Sequence, residues 1–145
     1  MASLLGRHRD TAEGISWIEQ GLRDMRAPGT VLCVPVHLAR KAEALYLADR
    51  TPEALEVINE AVAIAERFEH GYCSAELHRL RGVLLATLGA DETQIEASFC
   101  KAVRIANEEK SVSLEKRAEA TCSRIPSPES ERVGRRWIPT ATFLI

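Results

Sequence analysis

Apolar residues recur at spacings of three and four through most of the chain, the period of an amphipathic helix. From Thr11 to Arg26, Ile15, Ile18 and Leu22 form one stripe with charges on the other side. Val31 to Ala48 carries Leu38, Ala42 and Leu45 in the same way, with Pro35 tolerable in the first turn. Thr51 as N-cap and Pro52 at the first helical position predict a third helix reaching Phe68. Gly71 reads as a break. Ser74 to Leu88 predicts a fourth helix stopped by Gly89, Thr93 to Glu109 a fifth, and Val112 to Ser123 a sixth. The pattern therefore predicts an all-α chain of about six helices.

These helices repeat. Ala42, Leu45 and Asp49 match Gly82, Leu85 and Gly89 at an offset of 40. Ile58, Ala61 and Ile64 match Phe99, Ala102 and Ile105 at an offset of 41, so one residue is added in the second turn. Gly14, Ile18 and Gly21 match Ala54, Ile58 and Ala61, again at 40. Two helices per unit at this period predict an α-solenoid. Ala42 and Gly82, facing Ala61 and Ala102, let antiparallel helices approach closely, and Leu45, Ile58, Leu85 and Phe99 fill the space beside them. This order of small and large positions resembles the tetratricopeptide repeat. Ile95 stands where that motif prefers alanine, and no consensus Trp opens a repeat. The resemblance implies a right-handed α-α superhelix: the second helix of one repeat, two full repeats and the first helix of a fourth unit. Residues 1–10 read as a lead, 11–123 as the repeat domain and 124–145 as an irregular tail. That tail holds Pro126, Pro128 and Pro139 and ends Phe143-Leu144-Ile145. It reads either as a flexible, disordered segment whose apolar end docks on the last helix, or as the product of a shifted or truncated reading frame.

Composition narrows the function. A chain of 145 residues with 46% hydrophobic and 28% charged residues has room for one core, and 5% aromatics favours helices over a β-sandwich. A net charge of -2 argues against a dedicated nucleic-acid binder. No apolar run reaches the roughly 18–20 residues a bilayer needs, and MASLLGRHRD lacks the layout of a signal peptide. Cys33, Cys73, Cys100 and Cys122 include no CxxC pair, which favours a reducing, cytoplasmic setting. Three of the four fall in or beside apolar stretches and are expected to be small buried hydrophobes.

Trp17 to about Ala118 resembles the C-terminal repeat region of bacterial class III adenylate/guanylate cyclases that carry an AAA-type ATPase. The residues that carry it are GISWIEQGLRDMRAPGT (Gly14 to Thr30), AEALYLADRTPEALEVINEAVAIAER (Ala42 to Arg67), AELHRLRGVLLATLG (Ala75 to Gly89) and EASFCKAVRIANEEKSVSLEKRAEA (Glu96 to Ala120). The resemblance implies a protein-interaction or signal-sensing module. Catalysis is not expected: there is no GxxxxGK[ST] loop, no paired metal-binding aspartates and no GxSxG elbow. No cofactor is called for.

Counting from the small residue of the motif assigns the groove of the first helices to Val36, Ala39, Glu43 and Tyr46, then to Glu76, Arg79, Val83 and Ala86. Glu115 and Glu119 extend it on the last helix. Four carboxylates, Tyr46 and the single cation Arg79 predict a groove for a basic or amphipathic segment of a protein or peptide partner. The alternative is a self-associating structural repeat protein without a ligand groove, forming a homo-oligomer through its solenoid ends. Cys33, His37, His70, Cys73 and His78 raise zinc, but lack the short paired ligand loops of zinc modules. Arg132, Arg135, Arg136 and Trp137 form a small basic-aromatic cluster, weak support for nucleic acid beside Glu129 and Glu131.

Overall fold

The computed structural model describes residues 2–29, 31–69 and 71–124, and over these the chain is all-α. Six helices follow one another: α1 (Ala2–Arg26), α2 (Val34–Leu47), α3 (Thr51–Arg67), α4 (Gly71–Thr87), α5 (Glu92–Glu108) and α6 (Val112–Arg124). Each packs chiefly on the next in sequence, and α4 also touches α2 and α6. This sequential packing is that of a helical-repeat arrangement.

The turns repeat with the sequence. Asp49 after α2 and Gly89 after α4, equivalent at the offset of 40, both take positive φ, at 62° and 68°. Behind each, the next amide reaches back into the helix: Arg50 N donates to Leu45 O at 2.9 Å, and Ala90 N to Leu85 O at 3.0 Å. Gly29, Glu69 and Lys110 close the turns between units at φ 78°, 53° and 55°. Their spacings are 40 and 41, so the added residue falls between α4 and α5 and displaces everything after it.

Several local expectations differ from the structure. The first helix runs back to Ala2, through the residues read as a lead. Gly71 opens α4 instead of breaking the chain. Thr51 is the first helical residue, not the cap; Arg50, the residue before it, grips Glu53 with two bonds of 2.7 and 2.5 Å. Of the cysteines, only Cys73 is buried, its thiol pushed up to about 11 by burial, while Cys33, Cys100 and Cys122 are exposed. Cys100 follows the buried Phe99 on α5 and so turns off the apolar stripe. Of the expected tail, Arg124 ends α6 and the remainder lies outside the described residues.

The core joins α1 to α4 through Ile15, Leu22, Leu38, Leu45, Ile58, Leu77 and Leu84, with Ala39, Ala42, Ala54 and Ala61 wholly buried among them. The second hairpin is closed by Phe99. A Cβ placed on Gly82 would lie 2.6 Å from its ring, so α4 and α5 meet at that spacing only because residue 82 has no side chain. One unit earlier the same two positions hold Ala42 and Ile58, which divide the space the other way.

Candidate partner-binding face

The face shared by α2, α4 and α6 gathers most of the predicted groove positions, and it is drier and more self-satisfied than the sequence suggests. Ala39 is fully buried and Val36 packs, half-buried, against the core. Glu76 and Arg79 are buried at 5% and 4% exposure. They pair with each other: Arg79 Nε donates to Glu76 Oε2 at 2.9 Å and Nη2 to Oε1 at 2.6 Å. Arg79 Nη1 reaches Thr121 Oγ1 at 3.4 Å, and Arg117 Nη1 approaches Glu76 Oε1 at 3.5 Å. A bidentate guanidinium–carboxylate pair with further donors is the arrangement that makes buried charge tolerable. Arg79 therefore holds the face together and is not a free cation.

The residues of α6 that meet this pair are Arg117 and Thr121. Glu115 is half-buried and Glu119 is exposed. The reason is register. Gly71 and Val112 open α4 and α6 at an offset of 41, so Glu76 corresponds to Arg117 and Leu80 to Thr121. A step of 39 or 40 selects the neighbouring glutamates. With Arg40, Arg79 and Arg117 against Glu43 and Glu76, the face does not carry the predicted excess of carboxylate.

Glu43 is the unbalanced member. Its Oε1 is buried with no hydrogen-bond partner, as is Arg40 Nε on the same helix. Burial pushes the Glu43 carboxyl up to about 7, against the pull of Arg79 and with a further push from Glu76; Arg40 and Arg117 oppose it more weakly. Beside Glu43 a mostly apolar cavity of about 100 Å³ opens between α2 and α4. Ala42, Tyr46, Leu47, Leu80, Val83 and Leu84 wall it. Leu47 is 65% exposed at its mouth. Thr87 Oγ1 lies 3.4 Å from the Tyr46 hydroxyl, linking α4 to α2 over the rim. The cavity is smaller than the roughly 150 Å³ that holds a benzene, a size for one branched aliphatic side chain. Leu47 was no part of the predicted groove, although an exposed leucine beside Tyr46 is a signal the sequence carries.

Among the described residues no group of three or more His, Cys, Asp or Glu side chains is placed to hold a metal ion. His70 and the Arg132, Arg135, Arg136 and Trp137 cluster lie outside the described residues. No described helix is long and apolar enough to cross a membrane.

Comparison with known proteins yields a relative of far greater length. Over 107 residues, 74% of this chain, the sequence is 36% identical to uncharacterized protein R02095 of Rhizobium meliloti (strain 1021). The chain spans only about 10% of that relative's length. No family model matches the chain, and no solved structure does.

Proposed function

We propose that the chain is a non-catalytic interaction module of tetratricopeptide type, the repeat region of a much larger cyclase-like or ATPase-linked signalling protein. Its α2, α4 and α6 face is the concave side, which binds a peptide or partner domain. The observation that carries this reading is the apolar cavity beside Tyr46 and the exposed Leu47, flanked by Glu43. Anchor side chains in small apolar sockets, with polar groups at the rim, dominate the energetics of interfaces. The turns recurring at offsets of 40 and 41, and a relative of which the match is a tenth, support a repeat region within a longer protein.

The test is capture of partners from the source cells by the chain and by a Tyr46→Ala/Leu47→Ser variant, with Glu56→Ala on the exposed side of α3 as control. The variant loses its partner while keeping the helical circular dichroism of the parent; undiminished capture overturns the reading. Arg79 stays in place, because its removal strands Glu76 and confounds binding with folding. An immunoblot of the same cells addresses the parent: a band far larger than the chain is expected, and a single band at the chain's own mass contradicts the larger protein.

A second reading, self-association through the outer helices, is favoured by Trp17 on α1 and Val112 on α6, at 72% and 58% exposure. Mass in solution that rises with concentration, and stops doing so in Trp17→Gln, identifies it.

A further inference from the structure

A second opening lies on the other side of α4, an open cleft of about 400 Å³ between α3 and α5. That is within the roughly 300–1,000 Å³ range of small-molecule sites. His78 lines it, 4% exposed, with Nδ1 buried and unpartnered and Nε2 no nearer than 3.9 Å to Glu66 Oε1. The repeat supplies the control. One unit earlier the same position is Leu38, 2% exposed in the core. The first unit fills that position with an apolar side chain, and an imidazole buried there without its hydrogen bond costs stability. A second exchange accompanies it. Ser98 holds the place that Val57 holds one unit earlier and takes Arg81 Nη1 at 2.8 Å, while Arg81 Nε donates to Asn59 Oδ1 at 3.0 Å. The second unit has traded packing for polar groups around one cleft.

The charge around that cleft is positive. Of the charged side chains that line it, Lys101 and Arg81 are cations and Glu66 is a carboxylate. Glu66 closes on the cation, Oε1 2.6 Å from Lys101 Nζ, yet its side chain is 52% exposed. Its oxygen lies between Lys101 Nζ and His78 Nε2, on a half-exposed side chain. Val62, Ala63 and Ala97 complete the lining with a short apolar strip.

The geometry points to a binding site for a small organic phosphate monoester: its phosphoryl oxygens take the place of the Glu66 carboxylate between Lys101 and His78, and its organic body lies along Val62, Ala63 and Ala97. A dianion matches the two cations of the lining, Lys101 and Arg81, left when Glu66 departs, and the cleft exceeds a bare phosphate in volume. This inference is independent of the partner-binding face. His78 is held down to about 4, first by burial, then by Lys101, with Arg81 and Arg104 adding to them and Glu66 opposing. A bound dianion raises it, so the imidazole reports occupancy.

The experiment follows the His78 side-chain nitrogen resonances of the ¹⁵N-labelled full chain at pH 6.5. It is titrated with phenyl phosphate, inorganic phosphate and phenylacetate. Phenyl phosphate moves His78 and saturates in the millimolar range or below, about fivefold tighter than inorganic phosphate and about tenfold tighter than phenylacetate. Glu66→Gln tightens it several-fold, and Lys101→Met, with unchanged circular dichroism, abolishes the response. A silent His78 overturns the site, as does an equal response in Lys101→Met or weaker binding by Glu66→Gln. Inorganic phosphate binding as well as the ester overturns the organic body, and phenylacetate binding as well overturns the phosphoryl group.

Discussion

The cavity between α2 and α4 and the cleft between α3 and α5 each bury a titratable side chain that lacks a hydrogen-bond partner on one atom, and the two respond to pH in opposite senses. Glu43 is raised from 4.5 to about 7 and His78 lowered from 6.5 to about 4. In both, burial is the largest cause, and it disfavours the charged form whatever its sign. The folded chain holds a proton on Glu43 that the unfolded chain has released between pH 4.5 and 7. Stability from this group is therefore present at low pH and lost as pH rises through 7. The unfolded chain binds a proton on His78 that the folded chain refuses between 6.5 and 4, so this group's contribution is present above 6.5 and lost as pH falls. Over the shared window the two slopes oppose each other.

The comparison is broken most severely at Arg79, which touches one side only. Arg79→Ala leaves Glu76 buried without its bidentate partner and should cost roughly 3–5 kcal/mol in urea unfolding, while Arg79→Met with Glu76→Leu should recover much of it. Next come the slopes themselves, each smaller than the full shift because solvent screens both groups in part. Relative to wild type, Glu43→Gln should gain about 2–3 kcal/mol as pH rises from 4.5 to 7, since the opposing Glu43 loss is gone. His78→Leu should lose a similar amount across pH 4–6.5, since the group whose contribution rises there is gone. Urea titrations at half-unit pH intervals read both, and parallel profiles for the two variants contradict the opposition. A smaller effect sharpens the structural side. Gly82→Ala drives a methyl into the Phe99 ring and should cost about 1–3 kcal/mol, whereas Gly82→Ala with Phe99→Ile, the arrangement of the preceding unit, should recover part of it. Smallest is Trp17→Gln, expected within about 0.5 kcal/mol of wild type because the indole is mostly in water.

Most of the scaffold is legible in the sequence because helical period, small residues and turn positions are local or repeat-wide signals. Asp49 and Gly89 reveal their shared turn through spacing alone, and Gly82 beside Phe99 is a packing pair that periodicity exposes. The site is less legible. Glu76 and Arg79, three apart on a helix, have the appearance of a solvated ion pair, and only the closeness of α6 makes them interior. The glutamates read onto the last helix miss because the residue added between α4 and α5 shifts α6 by one position, turning Arg117 inward and Glu119 outward. His78 differs visibly from Leu38, but it reads as a departure only once the repeat register is fixed and the Leu38 position is seen to be buried.

The most direct test of the partner-binding face places a photo-crosslinking amino acid at position 47, at the mouth of the cavity, and at position 56 on the exposed side of α3, in the source cells. The account predicts a discrete protein adduct from position 47 and none from position 56. Adducts from both positions alike, or from neither, would contradict it.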